Sequence, residues 1–396
     1  MASVNDLTFQ QAAALLTSIY EQATGQQATI QPIDTATFTT VGQLTLKTGY
    51  DTVIEAISQV LAKTIFSIRP YNAKFNGIFV DEQRFGNITR KINFVDGDIE
   101  DDEREPLTDG QSVDQWVINK PKILQTNFYG FNKYQRHVTI FKDQLDVAFT
   151  GPAEFSRFIT GVIQNVMDQL EQVKEAEARA TLANFIVGKV NIDNSVINVL
   201  QEYYNETGVE LSPATMYSDT YYIPFVKWFY GYVNRLTLML AERTEKYHIN
   251  ISGKEVMRHT PANMLKAYLS ARMMTSIDSV ALPSIFGADR LKMIDWEAVN
   301  FWQNIDDPES VYAKATVLQT DGTLRTMEAA GLVNNVIGFL FDRDALGITR
   351  KSEWVQQTPL NAAGGYSNIF YHFSYSSWND FTENAIVLVA NTVTTT

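Results

Sequence analysis

The 396-residue chain contains no cysteine, which excludes disulfide bridges and thiolate metal sites. It holds 32 lysines and arginines against 45 aspartates and glutamates, a formal net charge of −13. Proteins that follow a nucleic-acid backbone present a basic stripe, so sequence-reading DNA or RNA binding is not expected. The chain lacks both the long apolar run of a membrane span and the basic start of a signal peptide. We therefore expect a protein that is made and used without export and without a membrane.

Recognisable catalytic motifs are also missing. The four histidines are scattered and form no zinc-binding pair, and the chain has neither a glycine-rich phosphate loop nor a dinucleotide fingerprint. Ser367 follows Gly365 as in a nucleophile elbow, but Ile369 replaces the closing glycine of that motif. We expect no catalytic site, no metal and no cofactor.

Aromatic residues are abundant, at 12% of the chain. Seven of them lie between Tyr221 and Tyr232, where they could form a platform for stacking bases or sugars. Few basic residues accompany them, so packing in a core or a subunit interface is the favoured interpretation. A soluble carbohydrate- or nucleic-acid-binding enzyme built on this cluster stays open as an alternative.

The strongest helical pattern runs from Pro152 to about Ile186, with apolar residues at the spacing of a one-sided helix. Proline suits the first position of a helix, and Glu154 suits the positive end of its dipole. At about 1.5 Å per residue, the helix would be roughly 50 Å long, more than one compact core needs. We interpret it as a strut across a broad, thin subunit.

The two faces of this helix have different predicted roles. One face is an apolar stripe, which we expect to hold the C-terminal strands of the same chain: Phe155, Phe158, Val162, Val166 and Leu170. The other face is charged, and we expect it to meet solvent or a neighbouring subunit: Glu171, Lys174 and Glu175.

Residues 66–147 alternate between apolar and polar side chains, as strands do, around a strongly acidic run. The run from Asp96 to Glu105 contains seven carboxylates but lacks the glycine position of a calcium-binding loop. An isolated two-stranded hairpin is marginal in water, so this one needs a surface to lie on, and another chain can supply it. Deleting residues 74–133 is then expected to leave the subunit folded but unable to assemble. Four acids of the run are candidate inter-subunit contacts: Asp98, Glu100, Asp101 and Asp102.

Four stretches of the chain resemble major capsid proteins of tailed bacteriophages of the Hong Kong 97 type, notably those of short-tailed and gut phages. These stretches are NITRKINFVD, INKPKILQTNFYG, GFLFDRDALGI and NAAGGYSNIFYHFSYSSWNDFTENAIVLV. The resemblance implies an α+β fold with an N-terminal arm, a long hairpin called the E-loop, a spine helix, a peripheral domain and a mixed α/β axial domain. The implied division is 1–65 for the arm, 66–147 for the E-loop, 148–190 for the spine helix of the peripheral domain, 191–350 for the axial domain and 351–396 for strands that return to the peripheral domain.

The resemblance also implies a function and partners. The chain would be a structural protein that is assembled in the host cytoplasm, as pentamers and hexamers, into the icosahedral head shell of a virion that encloses double-stranded DNA. Its negative charge would limit adhesion of the shell to the packaged DNA. No helical scaffolding domain precedes the arm, which implies a separate scaffolding protein or none, and the portal and decoration proteins are further expected partners. No motif identifies a Lys–Asn cross-link. The alternative within the same fold is the shell of an encapsulin-like cellular nanocompartment.

Overall fold

A computed structural model of the chain describes residues 8–28, 32–63, 74–80, 88–95, 107–112, 116, 118, 120, 122–192, 195–281 and 295–394. Within these ranges the protein has a mixed α+β fold, which confirms the predicted class. The helices are α1 (Phe9–Thr24), α2 (Thr35–Leu46), α3 (Tyr50–Lys63), α4 (Lys142–Ala148), α5 (Pro152–Ile192), α6 (Val199–Thr207), α7 (Tyr222–Ala241) and α8 (Ala271–Ser276). The strands are β1 (Phe79–Val80), β2 (Ile88–Phe94), β3 (Ile123–Tyr129), β4 (Asn132–Phe141), β5 (Val196–Asn198), β6 (Leu265–Ser270), β7 (Asp295–Val299), β8 (Val311–Ala313), β9 (Thr316–Leu318), β10 (Leu324–Thr326), β11 (Gly331–Val333), β12 (Val336–Asp342), β13 (Leu346–Gln357), β14 (Tyr366–Asn379) and β15 (Ala385–Val389).

Helix α5 is a single helix of 41 residues, roughly 60 Å long. The predicted start at Pro152 is confirmed, but the predicted end near Ile186 is wrong because the helix continues to Ile192. Gly188 does not end it, since this glycine gives room to the ring of Phe381. An added Cβ at Gly188 would lie 2.6 Å from that ring.

A four-stranded sheet has the order β1-β13-β14-β4. Strands β13, β14 and β4 are antiparallel neighbours, whereas the short β1 pairs with β13 in parallel. The alternation predicted from Ile369 to Tyr375 is confirmed, because the odd-numbered apolar side chains of β14 share one face and pack into the core. We call the opposite side of this sheet its outer face.

A five-stranded sheet has the order β5-β15-β12-β6-β7. The buried strand predicted near Val336–Phe341 is confirmed as β12, all seven residues of which are buried. Strand β15 pairs with β12 on one side and with β5 on the other. Within 351–396, β14 therefore belongs to the four-stranded sheet and β15 to the five-stranded sheet, while the predicted domain division stays a prediction. The side chains of β15 are buried on both faces, so it needs a sheet covered on both sides.

The described residues form three apolar cores. The first joins α1–α3 and α4 to the start of α5, the second joins the later part of α5 to both sheets, and the third covers the far side of the five-stranded sheet with α6 and α7. In the third core, Phe225, Phe229, Tyr230 and Tyr232 of α7 are buried, so most of the aromatic cluster packs inside the protein.

The apolar stripe of α5 divides between two of these cores. The Phe155 ring lies 5.6 Å from that of Phe38 and 5.5 Å from that of Phe149, which places it among the N-terminal helices. Leu170 packs against the second core, which contains Phe373 of β14. The stripe therefore holds the N-terminal helices as well as the C-terminal strands. The side chain of Val166 lies outside the described residues.

Residues 74–80 belong to the body of the subunit and not to a projecting hairpin. Phe75 and Ile78 are buried in the second core, and the Phe75 amide donates to Glu297 Oε1 at 3.0 Å. Strand β4 at the other end of 66–147 is likewise part of the four-stranded sheet. Deletion of 74–133 would remove three buried apolar side chains, those of Phe75, Ile78 and Leu124, so the structure does not support the expectation that this deletion spares the fold.

Candidate assembly surfaces

Strands β2 and β3 form an antiparallel hairpin with two unlike faces. In the register, Phe94 lies opposite Ile123 and Ile92 lies opposite Gln125. The inner face turns toward the rest of the subunit, with Leu124 buried. The other face points to solvent, where the side chains of Ile92 and Phe94 are 52% and 71% exposed. We call this set the outward apolar face: Ile92, Phe94, Ile123 and Tyr129.

Ion pairs fix the inner face of the hairpin to its own subunit. Lys91 Nζ lies 2.9 Å from Asp380 Oδ2 and 2.6 Å from Glu383 Oε1. Burial alone would lower the pKa of Lys91, but the two carboxylates outweigh it and raise that pKa, so the lysine is charged. Arg258 Nη1 lies 3.0 Å from the same Glu383 oxygen and donates to Asn93 Oδ1 at 3.1 Å. The hairpin consequently has a fixed base and cannot turn its outward face onto its own subunit.

A buried polar network continues from this junction toward the five-stranded sheet. His248 Nδ1 lies 3.1 Å from Asn384 Oδ1, and its Nε2 lies 2.8 Å from the carbonyl oxygen of Val256. The Asn384 amide donates to Thr260, whose hydroxyl donates to Asp342 Oδ2 at 2.8 Å. Burial lowers the pKa of His248 below its usual value of 6.5, despite these hydrogen bonds.

We expect His248 to make the subunit less stable as the pH falls. Its folded-state pKa is lowered, so the unfolded chain binds more protons below pH 6.5, and the contribution is fully present above 6.5 and lost toward lower pH. Urea unfolding at several pH values should therefore show a steeper loss of stability in the native chain than in His248→Gln. The matched control is His137→Gln, at an exposed position, which should keep the native slope. Equal slopes for the native chain and His248→Gln would contradict the prediction.

The predicted contact residues fall into three groups. Asp98, Glu100, Asp101 and Asp102 lie outside the described residues. Glu171 and Lys174 form an ion pair with each other on α5, and their side chains are 15% and 25% exposed.

Glu175 differs from its two neighbours on the helix. It is 9% exposed and bonds to Arg179 of the next turn, at 2.9 Å from Nε and 2.6 Å from Nη2. Arg179 in turn donates to the carbonyl oxygens of Phe301 and Trp302, and its guanidinium lies 3.9 Å from the centre of the Phe301 ring. The helix turns Glu175 toward the chain's own 301–302 segment and away from solvent, while its predicted contact with a neighbouring subunit stays a prediction.

The outer face of the four-stranded sheet carries a row of rings that the sequence did not single out. Trp354 of β13 stacks on His372 of β14, with ring centres 3.8 Å apart and planes 13° apart. Phe370 lies next along β14, and its ring centre is 5.4 Å from that of His137 on β4. Trp354 is 48% exposed. We call these four residues the outer aromatic row.

A second exposed apolar patch lies on the small strand pairs after residue 300. Tyr312 and Leu332 are cross-strand partners of β8 and β11, and both are exposed. The surrounding chain is acidic, with exposed Asp306, Asp307 and Glu328.

Two negative findings concern the described residues. None of their helices combines the length and the apolar character needed to cross a bilayer. They also contain no group of three or more histidine, aspartate or glutamate side chains placed to hold a metal ion.

Solved structures with a similar fold come from phage particles. The capsid structure of Staphylococcus phage Andhra matches with a TM-score of 0.53 at 12% identity, over 82% of this chain and 86% of that chain. The structure of head fiber and inner core protein gp22 of native bacteriophage P68 contains a chain that matches with a TM-score of 0.53 at 11% identity, over 83% of this chain and 87% of that one. A search of curated proteins found no match. The fold is thus that of a class of phage capsid proteins.

The sequence itself identifies the family within this class. The sequence profile of the Phi29-like phage major capsid protein family matches residues 16–389, nearly the whole chain. The chain belongs to this family. It is a major capsid protein and a component of the virion, as the resemblance predicted.

Proposed function

We propose that this capsid protein builds its shell in the Hong Kong 97-type arrangement, as pentamers and hexamers of one subunit. Residues 1–65 would be the arm, 66–147 the E-loop with its supporting strands, 148–190 the spine and 191–350 the axial domain. Residues 351–396 would return to the peripheral sheet through β14 and add β15 to the axial sheet. The continuous α5, packed against the N-terminal helices at one end and both sheets at the other, supports this division.

The hairpin carries the proposed contact between subunits. Its outward apolar face is exposed on the isolated subunit, and its base is fixed by Lys91, so it presents a preformed surface to a neighbour. Exposed apolar surface of this kind is typical of sites where proteins associate. The acidic residues Asp98, Glu100, Asp101 and Asp102, beyond the ends of β2 and β3, would add charge contacts. A contact between two different surfaces of the same subunit can repeat from one subunit to the next. The repeats form a closed ring when the rotation between neighbouring subunits divides a full turn evenly.

The proposed role is mechanical, with no catalytic activity. The aromatic cluster of α7 was the main candidate for a ligand platform, but most of its side chains pack into the third core. The shell would enclose double-stranded DNA without sequence-specific binding, consistent with a net charge of −13. A separate scaffolding protein, a portal and decoration proteins are the proposed partners.

Electron microscopy tests this function directly. The purified protein, alone or with a co-expressed scaffolding protein, should form closed shells with subunits in rings of five and six. A protein that stays monomeric under all such conditions would contradict the proposal.

We expect the acidic run to affect assembly more than folding. In one variant, Asp98, Glu100, Asp101 and Asp102 are changed to Asn or Gln. Its subunit should have the same melting temperature as the native subunit, but it should form fewer closed shells, as measured by sedimentation. Because the change in net charge alone could alter assembly, the control carries the same charge change at exposed sites elsewhere: Glu242, Glu245, Asp306 and Asp307. A changed melting temperature with normal assembly would show that the run stabilises the subunit instead.

A further inference from the structure

We propose that the contact of Lys91 with Asp380 and Glu383 is a latch, through which the position of the hairpin controls the order of segment 247–260. The latch acts through the turn of residues 380–384, which joins β14 to β15. Segment 247–260 lies between α7 and β6 and contains no helix or strand, and all of it is described. The latch is a property of one subunit, and its use in assembly rests on the proposed shell function.

The turn is buried, although connections between strands normally lie on the surface of a protein. All five of its residues are at most 7% exposed, and four of them are polar: Asp380, Thr382, Glu383 and Asn384. Buried polar side chains need hydrogen-bond partners. The partners come from two other parts of the chain, the hairpin and segment 247–260.

The hairpin contributes Lys91. Besides the two carboxylates of the latch, its ammonium group donates to the carbonyl oxygen of Asp344, which follows β12, at 3.3 Å. The Lys91 side chain is 20% exposed, whereas those of Asp380 and Glu383 are 1% and 9% exposed. The ammonium group thus lies between solvent and the buried turn, and the position of the hairpin determines whether it stays there.

Segment 247–260 contacts the same turn. The amide of Ile249 donates to the carbonyl oxygen of Phe381 at 2.9 Å, and Arg258 Nε donates to that of Thr382 at 3.0 Å. Arg258 Nη1 also donates to Asn93 of the hairpin. The segment has no helix or strand of its own, so its order depends on these contacts with the turn and the hairpin.

The latch can open without leaving a bare carboxylate behind. Glu383 stays paired with Arg258 Nη1 at 3.0 Å when Lys91 leaves. Asp380 Oδ1 still accepts hydrogen bonds from the amide of Thr382 at 2.9 Å and from its hydroxyl at 2.6 Å. The large penalty of an unpartnered buried charge is therefore avoided. A lysine ammonium group is strongly hydrated, so water can receive it.

A cavity of about 380 Å³ separates part of the inner face of the hairpin from the body of the subunit. Thr126 and Phe128 line it from the hairpin, and Lys314, Leu318 and Trp378 line it from the body. Atoms next to such a gap lack the close contacts that hold a packed interior together. Displacement of the hairpin consequently loses less packing than separation of a filled interface would.

These contacts link two surfaces of the subunit. A neighbour that binds the hairpin and favours one position of Lys91 would change the order of segment 247–260, and binding at the segment would act on the hairpin by the same amount. The segment presents Lys254, Glu255 and Met257 to solvent. The latch thus makes this part of the surface responsive to the hairpin.

Hydrogen exchange of the unassembled subunit, measured by mass spectrometry, tests the latch. Lys91→Met removes the charge but leaves a side chain of similar length, so the hairpin should detach more often. Amide exchange in segment 247–260 and in residues 380–385 should become faster by about tenfold or more, since local opening frees these amides, and exchange in α7 should stay the same. The control is Arg90→Met, at the preceding, exposed position of β2, which should exchange like the native chain.

A tether separates the position of the hairpin from the loss of a charge. Because the chain has no cysteine, Thr126→Cys and Lys314→Cys can be joined by a short bifunctional maleimide, which links the hairpin to the body across the cavity and away from the turn. In the Lys91→Met chain, this tether should restore slow exchange in segment 247–260. In the otherwise native chain, it should slow exchange there further and leave α7 unchanged.

Unchanged exchange in segment 247–260 of Lys91→Met would overturn the inference. So would faster exchange that persists after tethering, because the effect would then come from the lost ion pairs and not from the hairpin. If Lys91→Met does not fold, the tethered native chain decides, and exchange in the segment that does not slow there would overturn the latch. Native subunits that show the expected exchange but form no shells would overturn the proposed function and leave the latch standing.

Discussion

Replacing Arg179 with methionine is expected to lower the free energy of unfolding of the subunit by about 3–5 kcal/mol, because it removes the cation paired with a buried carboxylate. The guanidinium is 12% exposed and bonds to Glu175, which is itself buried. It also donates to two backbone carbonyl oxygens of the 301–302 segment and lies over the rings of Phe301 and Phe75. Arg179 thus joins α5, the segment after β7 and the segment before β1 at one point.

The neighbouring ion pair of α5 provides a matched control. Lys174→Met breaks the pair with Glu171 one turn earlier, but this pair is more exposed, and we expect a loss of about 1 kcal/mol or less. Urea unfolding of the unassembled subunit measures both values. Changing Glu175 to glutamine together with Arg179→Met should recover part of the stability, because the uncompensated charge is gone. Similar losses for Arg179→Met and Lys174→Met would contradict the buried role of Glu175.

The second large effect concerns assembly. Changing Ile92 and Phe94 together to serine is expected to abolish closed shells while leaving the unfolding of the isolated subunit nearly unchanged. Both side chains are more than half exposed, so their loss removes little from the fold, and surface substitutions are usually within about 0.5 kcal/mol. In an assembled shell each would be buried in a contact, where an apolar side chain contributes roughly 1.5–3 kcal/mol. The proposed contact would recur in every subunit, so a small loss per copy would become a large loss for the shell.

Shell formation by sedimentation and by electron microscopy measures this effect, and urea unfolding confirms that the subunit is intact. The matched control changes Ile305 and Leu332 to serine, at positions that are 73% and 60% exposed. If the hairpin variant formed normal shells and the control did not, we would assign the main contact to the strands after residue 300 instead.

Local sequence patterns predicted the helices and strands well. They predicted poorly which of these elements pair or pack with one another. The 3.6-residue period revealed α5 because one side of it is buried along much of its length. The helical residues after Ile186 were not predicted, because glycine often follows the end of a helix. The close approach of the Phe381 ring explains why Gly188 lies inside this helix instead. An apolar run such as β15 reveals burial but not the sheet to which a strand belongs. Alternation predicted the hairpin, yet both of its faces carry apolar residues, so the sequence left open which face meets the body.

The candidate contact surfaces were harder to predict, for a related reason. Charge pointed to the acidic run and to Glu175, but helix geometry turns Glu175 inward onto Arg179. The stacked pair of Trp354 and His372 brings together residues 18 positions apart, and only the register of β13 against β14 makes them neighbours. Exposed apolar side chains look the same in sequence as buried ones, so Phe94 gave no sign of its exposure.

The position of β15 affects whether incomplete chains can fold and assemble. This strand is among the last described residues, yet it lies between β5 and β12 and contributes to two cores. A chain that ends early, or is still on the ribosome, lacks the strand that closes its five-stranded sheet, and β5 is left without its described partner. The five-stranded sheet therefore cannot be completed before β15 has been synthesised, and chains that stop before β15 lack a finished sheet. In a particle built from many identical copies, this favours incorporation of subunits that contain β15.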